Sequence, residues 1–407
     1  MATSSAPLPT ESDRTGFADE LDERVRQFLT EHDPTSTDPL RFLQARFDAG
    51  LAWIHFPRGL GGLDAPRSLQ PRVDAPFDQV GAPTHDLGRI GVGLGMAGPT
   101  ILSHGSAEQQ QRWLRPLWTG EQVWCQLFSE PGAGSDLAAV STRAVRDGES
   151  WIVDGQKVWT SMAHEASWAI LVARTDPSAT KHRGLTYFAC DMTAPGVEVR
   201  PLRQATGEAE FNEVFLTSVR IPDSDRIGET GAGWNVAMTT LKNERVFIGS
   251  GAAPREDGMI GIVADLWRTR PELRTAGLAE RLVTVWIDAE AARLAGERAR
   301  QALATGQPGN EGAGAKIAFA RLNQAVSSLE LDLLGEQALH YEQWTMRRPA
   351  TVDFRVRSAG YRFLRAKGNS IEGGTTEILR NIIAERVLGL PAEPRNDTSV
   401  AWKDLPR

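Results

Sequence analysis

The most informative part of the sequence is Gln126-Leu-Phe-Ser-Glu-Pro-Gly-Ala-Gly-Ser-Asp-Leu-Ala138, followed shortly by a second motif, Gly155-Gln-Lys-Val-Trp-Thr-Ser161. In the first motif, Gly132 and Gly134 leave backbone N–H groups clear of side chains, which suits close approach to a flat ring or an anionic phosphate. An isolated Gly-x-Gly is also compatible with a plain surface turn. The second motif at this spacing favours a binding site over such a turn.

Outward from these motifs the spacing of apolar residues changes twice. From about 15 to 118 they recur every three or four positions, which predicts amphipathic helices. From about 123 to 228, short β-branched and aromatic runs between Asp, Gly and Pro turns predict a compact β domain. After Gly233 the helical spacing returns, which predicts long antiparallel helices packed as a bundle. The helical stripes are Phe17, Leu21, Val25 and Phe28; Leu278, Leu282, Val285, Trp286 and Ala289; and Leu322, Val326, Leu329 and Leu333.

These patterns predict an α+β protein with four segments. They are an N-terminal helical domain (1–122), a middle β-barrel domain (123–230), a C-terminal helical bundle (231–392) and a surface tail (393–407). The last helices carry more apolar residues than one four-helix core needs, which predicts an oligomer with the bundle at its interface. The residues concerned are Ile378, Ile382, Ile383, Val387 and Leu388.

Composition excludes several classes of function. The formal net charge is -7 and the pI is near 5.6, which argues against a nucleic-acid surface. No run of eighteen apolar residues appears, so no membrane span is expected. The start of the chain lacks the features of a secretory signal, and Cys125 and Cys190 give no disulfide framework, so a cytoplasmic location fits best. The seven histidines show no ligand spacing, and no metal is expected.

A rival glycine motif, Gly93-Leu-Gly-Met-Ala-Gly98, formally matches the dinucleotide fingerprint. It follows Gly88-Arg-Ile-Gly91 rather than an apolar strand, which argues against a Rossmann site. The small residues at Gly91, Gly95 and Gly98 are instead expected to let a helix pack closely against its neighbour or against a ligand chain.

The two opening motifs resemble the signature of the acyl-CoA dehydrogenase family. The likeness covers about Trp53 to the C-terminus. It continues through Phe211-Asn-Glu-Val-Phe215, Asn243-Glu-Arg245, Gly374-Thr-Thr-Glu-Ile378 and Ala384-Glu-Arg-Val-Leu-Gly-Leu-Pro391. The resemblance implies that family's fold and a bound FAD. It also implies removal of two hydrogens from the α and β carbons of an acyl-CoA, giving trans-2-enoyl-CoA, with electrons passed to an electron-transferring flavoprotein.

The resemblance also assigns cofactor contacts. It implies that Ser129 bonds the pyrimidine side of the isoalloxazine, that Trp159 packs on its face and that Ser161 donates toward N5. The loop Gly373-Gly-Thr-Thr-Glu377 resembles the one crossing the ribityl and pyrophosphate region, where a helix beginning near Thr376 would present free N–H groups. The remaining contacts implied are Gln126, Phe128, Gly134, Ser135, Thr375 and Glu377.

Two glutamates compete for the role of the base that takes the α proton. The commonest members of the family carry it in a Glu-Gly-Thr sequence, but Gly373 stands at that position here and Glu372 lies one residue too early. The isovaleryl-CoA and long-chain branch carries its base immediately before a helical arginine, as in Glu244-Arg245. The resemblance therefore favours Glu244, with Arg245 holding the pocket geometry and Glu372 as the alternative. A plain solvated helix carboxylate remains the competing interpretation of Glu244.

Two other functions stay open from the sequence. One is an acyl-CoA oxidase, which uses the same scaffold and base but lets oxygen reach the reduced flavin. The other is a partner subunit of a hetero-oligomer. Two family elements that help to hold the FAD adenosine half are missing: an Arg-x-x-Phe-Gly between Leu266 and Ala302, and a Gly-Gly-x-Gly after Leu334. If the protein is not such a partner subunit, the expected assembly is a homodimer or homotetramer.

Overall fold

In the computed structural model of the protein the described residues are 11–249, 256, 258–304, 311–340, 345–394, 397 and 399–405. Close contacts divide the chain into two compact units. The first comprises 1–85 and 107–122, and the second 86–106 and 123–407. Residues 86–106, which the sequence places in the N-terminal domain, thus cluster with the second unit, while the four segment boundaries stay predictions. Among the described helices, none is long and apolar enough to cross a membrane.

Helices and strands follow in the predicted order of helical, sheet and helical regions. The helices are α1 (Glu11–Glu31), α2 (Pro39–Asp48), α3 (Gln70–Gln79), α4 (Leu87–Val92), α5 (Gly98–His104), α6 (Ala107–Thr119), α7 (Gly233–Gly249), α8 (Met259–Thr269), α9 (Ala276–Ala304), α10 (Glu311–Leu334), α11 (Ala359–Ala366) and α12 (Thr376–Arg386). The strands are β1 (Trp124–Leu127), β2 (Arg143–Asp147), β3 (Ser150–Ser161), β4 (Trp168–Arg174), β5 (Leu185–Asp191), β6 (Val197–Pro201), β7 (Phe211–Pro222) and β8 (Arg226–Ile227).

The first unit packs α1, α2 and α3 around an aromatic core. The predicted stripe of α1 is confirmed, because Leu21, Val25 and Phe28 are all buried there and Phe17 packs against them. Phe28 meets Phe42 and Phe77 edge to face, with ring centroids 5.4 and 5.6 Å apart. Such pairs add to the burial of apolar surface that holds small helical units together.

The second unit is built on one eight-stranded sheet with the order β6-β7-β3-β2-β4-β5-β8, and β1 pairs in parallel with β4. The long pairs β3–β7 and β4–β5 are antiparallel. Alternate residues of these strands point into one core, as the period of two requires. The predicted middle sheet domain is thereby confirmed. Its core includes Trp151, Val153, Ala169, Leu171, Ala173, Phe188, Cys190, Val214 and Leu216.

The C-terminal helices bury the stripes that the sequence predicts. Val285 of α9 and Val326, Leu329 and Leu333 of α10 are buried in a common cluster with α8. The other stripe residues pack against that cluster. They are Leu278, Leu282, Trp286, Ala289 and Leu322. The helical spacing is therefore the signature of a bundle core here, as expected.

A buried ion pair joins the two opening motifs. Lys157 of β3 is fully buried, and its Nζ donates to Glu130 Oε1 at 2.8 Å, to the Phe128 carbonyl at 3.0 Å and to the Val172 carbonyl at 2.8 Å. Glu130 also accepts from the backbone N–H groups of Ser141 and Thr142 at 2.7 and 2.9 Å. Both buried charges are thus hydrogen-bonded to groups of the protein itself.

The same pair makes stability depend on pH. Burial raises the pKa of Glu130, but the Lys157 charge and the hydrogen bonds lower it by more. The net result is a pKa of about 2, compared with an ordinary 4.5. A carboxyl with a lowered folded-state pKa contributes stability above its unfolded pKa. That contribution is lost as the pH falls from about 4.5 toward 2.

Replacing Lys157 tests how much this contact supports the fold. We expect Lys157→Met to lower the unfolding free energy by about 3–5 kcal/mol, because Glu130 would be left as an uncompensated buried charge. Arg220→Met is the matched control, since it breaks an exposed 2.7 Å pair with Asp147 on the same sheet and should cost under about 1 kcal/mol. Urea titrations of the full chain measure both. Equal losses in the two variants would contradict the assignment.

Candidate active site

The first motif forms a loop that is closed at its base and open at its tip. The Phe128 ring is buried against Tyr187 at 5.8 Å, and the Ser129 carbonyl accepts from the Val158 N–H at 2.9 Å. At the tip, Gly132 and Gly134 are exposed, and a Cβ on either would meet no atom within 4 Å. The fold itself therefore does not require glycine at these positions. Their open backbone fits a ligand that approaches closely, as the sequence predicts.

Trp159 is held in a strained conformation at the centre of the second motif. Its φ is +61°, and the pairing of β3 with β7 shifts between Lys157 and Thr160, which marks a bulge. The indole is 58% exposed and touches the Phe211 ring edge to face at 5.9 Å. A left-handed, exposed tryptophan costs free energy, and such strain is typical of binding sites. The bulge presents a flat ring face to solvent.

The C-terminal loop follows the predicted pattern of glycines leading into a helix. Gly373 and Gly374 have φ of +63° and +97°, and α12 begins at Thr376. The Thr375 hydroxyl caps that helix by accepting from the Ile378 N–H at 3.2 Å. Glu377, in the first turn, is exposed. The first-turn location suits an acidic side chain, because the helix N-terminus is positive.

Helix α7 carries the favoured base and is anchored by buried hydroxyl groups. Thr240 bonds the Tyr187 hydroxyl and the Thr100 hydroxyl, each at 2.9 Å. Glu244 lies one helical turn beyond Thr240, so the same anchor sets its position, and its side chain is partly buried. The side chain of Arg245 lies outside the described part of the chain.

A buried lysine brings the two candidate bases into one electrostatic environment. Lys316 of α10 is 1% exposed, and its Nζ donates to the Gly374 carbonyl at 2.6 Å. Burial lowers the pKa of Lys316, and the charges of Glu372, Glu244 and Glu377 partly oppose that effect. The structure therefore places Glu244 and the 372–377 loop around the same cation.

Glu372 is already engaged with other side chains. Its two carboxylate oxygens accept from Arg365 at 3.0 and 2.8 Å, and Oε1 also accepts from Asn369 at 2.6 Å. Arg365 in turn donates its Nε to Glu210 at 2.8 Å. A bidentate guanidinium contact fixes the direction of the carboxylate.

A cavity of about 340 Å³ opens beside the end of the second motif. Its polar groups come from Arg89, Ser161, Glu210 and Arg365. The remaining lining residues are Leu87, Gly88, Gly91, Val92, Met162, Val352 and Phe354. Its size lies in the range of small-molecule sites.

One wall of this cavity belongs to the glycine-rich segment 86–106. Between α4 and α5 the chain forms a π-helical turn, Gly93–Ala97. A Cβ on Gly95 would lie 2.4 Å from the ring of Phe247 on α7, and one on Gly91 would lie 3.4 Å from it. The predicted close packing is thus confirmed at Gly95.

Several important residues carry no role in the sequence analysis. Glu130 and Lys157 stand inside the two motifs, and the signal for Lys157 is a charged residue within a buried strand pattern. Lys316, Arg365 and Glu210 stand outside every motif, and no local pattern marks them.

The residues present fit the expected FAD. An exposed indole face suits a flat isoalloxazine, and open glycine backbones with a capped helix N-terminus suit an anionic tail. Within the described residues no group of three or more histidine, cysteine, aspartate or glutamate side chains could hold a metal ion.

Two substitutions at Trp159 separate backbone strain from ring contact. Both Trp159→Gly and Trp159→Ala remove the indole, and both should weaken flavin binding. Only glycine adopts a positive φ freely, so the flavin-free Gly variant should be more stable than the Ala variant by about 1 kcal/mol. Urea unfolding and flavin titration measure the two effects. Equal stability of the two variants would show that the bulge is not strained.

Comparison with known proteins agrees with this architecture. Three family models match the chain: the acyl-CoA dehydrogenase N-terminal domain over residues 12–121, the middle domain over 125–219 and the C-terminal domain over 231–388. Acyl-CoA dehydrogenase IpdE1 of Mycobacterium tuberculosis is 35% identical over 352 residues, covering 85% of this chain and 86% of the relative.

Other similar proteins include a longer relative and two solved complexes. Acyl-CoA dehydrogenase FadE34 of M. tuberculosis is 41% identical over 84% of this chain, which spans only 45% of that relative. Among solved structures, a variant of the Tcur3481-Tcur3483 steroid ACAD has a TM-score of 0.70 and 25% identity, over 94% of this chain and 98% of that one. The ChsE4-ChsE5 complex of M. tuberculosis has a TM-score of 0.67 and 25% identity, over 95% and 100%. The chain belongs to the acyl-CoA dehydrogenase family, whose members are FAD-dependent oxidoreductases acting on CH–CH bonds.

Proposed function

We propose that this enzyme desaturates an acyl-CoA between its α and β carbons, giving trans-2-enoyl-CoA, and passes the electrons to an electron-transferring flavoprotein. The observation that carries the proposal is the anchoring of Glu244. A partly buried carboxylate stands on a helix fixed by the buried Thr240, Tyr187 and Thr100 hydroxyls, beside the loop that carries Gly374 and Thr375. Such rigid support is what a positioned general base needs.

In this proposal Glu244 removes the α proton of the thioester and holds it on its carboxyl. Bound FAD supplies the acceptor for the hydride that leaves the β carbon. The charge of Glu244 is among those that oppose the effect of burial on the pKa of Lys316, which puts this lysine in the surroundings of the proposed base. Arg245, next along α7, is assigned to maintaining the pocket geometry on the resemblance alone.

Glu372 is the weaker candidate for the base because its carboxylate is already hydrogen-bonded to other side chains. Taking a proton would weaken two hydrogen bonds to Arg365 and one to Asn369. Because both carboxylate oxygens are bonded to neighbouring side chains, Glu372 would have to break these contacts to reach a substrate carbon. We therefore assign Glu372 to holding Arg365 in place.

We assign flavin contacts to the residues of both motifs and of the C-terminal loop. Trp159 is proposed to cover a ring face, because its strained backbone holds the indole in solvent. Ser129 and Ser161 are proposed to contact the ring edge. The remaining proposed contacts are Gln126, Phe128, Gly134, Ser135, Thr375 and Glu377.

Two alternative functions can each be distinguished from the proposed one by a single measurement. Peroxide formation without an added acceptor would identify an oxidase. A partner subunit is favoured by the missing family elements, and the ChsE4-ChsE5 and Tcur3481-Tcur3483 structures are named for two chains each. A chain that is colourless alone and turns yellow only with a second protein would identify this alternative.

We expect an oligomer in solution, a dimer or a dimer of dimers. Helix α9 exposes Val283, Ile287 and Leu294 on one stripe, at 58%, 56% and 51%, and Val387 and Leu388 are exposed after α12. An apolar stripe of this length normally faces a partner. Sedimentation at micromolar concentration measures the mass. A single species near 44.4 kDa would contradict this expectation, as would a dimer unaffected by Ile287→Glu.

Substitution of each candidate base tests the assignment directly. We expect Glu244→Gln to keep the fold, the yellow colour and thioester affinity, because the amide is nearly isosteric. Flavin reduction should slow by about 10² to 10⁴ or more, since the amide cannot accept the proton. Glu372→Gln should stay within about one order of magnitude of the parent rate. Anaerobic bleaching by a panel of acyl-CoAs measures both rates.

Glu385→Gln on α12 serves as a control for loss of charge, because that glutamate is exposed and outside the proposed site. Its bleaching rate should equal that of the parent protein. Rapid bleaching by Glu244→Gln together with a silent Glu372→Gln would reverse the assignment and make Glu372 the base.

A further inference from the structure

The loop of the first motif has two limbs, and different parts of the fold hold them. The ion pair between Lys157 and Glu130 holds the incoming limb. The outgoing limb, 136–140, begins directly after Ser135, a proposed flavin contact, and makes one turn of 3-10 helix. Because Ser135 is joined to this limb by a peptide bond, the position of the limb restricts where the tip of the loop can lie.

Side chains bond three successive carbonyls of the outgoing limb. Arg174 donates its Nη2 to the Ala138 carbonyl at 2.6 Å and its Nε to the Val140 carbonyl at 3.3 Å. The Ala139 carbonyl between them accepts from the indole Nε1 of Trp402 at 3.3 Å. Arg174 is 2% exposed and belongs to the sheet, whereas Trp402 stands near the end of the chain. One of the three contacts is thus made across 263 positions of the sequence.

Residues 399–405, the C-terminal strap, lie along the connection between β4 and β5. The indole of Trp402 covers the guanidinium of Arg174, whose Cζ is 4.4 Å from the ring centroid, and this is a cation–π contact. Two backbone N–H groups of the strap also donate to carbonyls of the connection: Trp402 to Ala179 at 2.9 Å and Lys403 to Pro177 at 3.0 Å. The strap is therefore fastened beside the same arginine that holds the outgoing limb.

A second cation joins the outgoing limb to the end of the chain. Lys181 is 6% exposed, and its Nζ lies 2.9 Å from Asp136 Oδ2 and 2.5 Å from Asp397 Oδ2. Asp136 is the first residue of the limb, and Asp397 stands just before the strap. A buried ammonium needs charged partners, so the two carboxylates are held around one lysine.

The strap can be separated from the folding of the sheet. Among the described residues, the core of the sheet includes none from the strap, and Trp402 and Leu405 are only half-buried. Loss of the Trp402 contacts should therefore loosen the outgoing limb and leave the sheet folded.

We propose that the C-terminal strap holds the outgoing limb in the position that binds FAD, and that Trp402 is the positioning residue that makes this connection. The proposal rests on the proposed flavin contacts of the first motif. When the limb is loose, only a fraction of the molecules carry a binding-competent loop, and the apparent dissociation constant for FAD rises by that factor. Docking of the end of the chain thus sets the affinity for the cofactor.

Hydrogen exchange of the flavin-free protein tests the effect on the limb. In Trp402→Ala we expect the amides of Ala139 and Val140, which bond within the limb, to exchange about tenfold faster. The amides of Ser141 and Thr142 are held by the buried ion pair and should keep their parent rates. Mass spectrometry at residue resolution measures all four. Unchanged rates at every amide would overturn the proposal, and so would equal acceleration of all four, which indicates a general loss of structure.

FAD titration tests the effect on the cofactor. We expect Trp402→Ala to bind FAD about tenfold more weakly. Trp402→Phe should lose about two- to threefold, because a phenyl ring can still cover Arg174 but cannot donate to Ala139. Lys403→Ala is the matched control within the strap, since that side chain is exposed and its contact is made by the backbone. Its affinity, measured by fluorescence, should equal that of the parent protein.

Parent-like FAD affinity in Trp402→Ala would overturn the proposal, whatever the exchange rates. Weaker affinity without faster exchange at 139–140 would also overturn it, because Trp402 would then act elsewhere. If Trp402→Ala does not fold, Trp402→Phe decides the question, and parent-like affinity in that variant contradicts the proposal.

The strap and the proposed reaction fail differently, since neither measurement uses an acyl-CoA. If FAD affinity and limb exchange depend on Trp402 but no acyl-CoA bleaches the flavin, the proposed reaction fails and the strap stands. If acyl-CoAs bleach the flavin through Glu244 while Trp402→Ala binds FAD like the parent protein, only the present inference fails.

Discussion

The contact between Lys157 and Glu130 is the constraint on which the rest of the site depends. Both groups are charged and buried, so each must keep its partner and its hydrogen bonds for the fold to be stable. Because Lys157 also bonds the carbonyls of Phe128 and Val172, one side chain joins β4, β3 and the loop after β1. The two motifs therefore cannot shift relative to each other without breaking this network. The loop of the first motif is therefore held firmly where it leaves the sheet, although its tip is open.

Close to this ion pair the chain departs from its most stable local geometry at the centre of the second motif. Trp159 follows Lys157 by two residues and takes a left-handed backbone at a bulge, with its indole in solvent. The left-handed backbone at Trp159 costs free energy, and strain of this kind is typical of binding sites. The proposed flavin site is thus marked by a strained backbone inside a well-packed frame.

Helix packing joins the parts of the site that lie far apart along the chain. Thr240 fixes α7 against Thr100 and Tyr187, and Lys316 fixes the 373–375 loop through the Gly374 carbonyl. Gly95 allows Phe247 to come close, so the glycine-rich segment lies against the helix that carries Glu244. The proposed base, the proposed cofactor loop and a cavity wall are therefore positioned by buried contacts outside the recognised motifs. Substitutions at these supporting positions should alter the geometry of the site without touching a ligand.

The amino-acid sequence was sufficient to predict the class of fold, the order of the helical and sheet regions and the family to which the motifs belong. It could do so because apolar periods of 3.6 and 2 are local consequences of burying one face, as the stripe ending in Leu329 and Leu333 and the strand around Trp151 show. Only the tertiary structure decided which charges meet. Arg365 joins Glu210 and Glu372 across 155 and 7 positions of the chain, and Lys316 reaches Gly374 across 58. No local period encodes such pairings, because they arise only when separate elements pack together and exclude water.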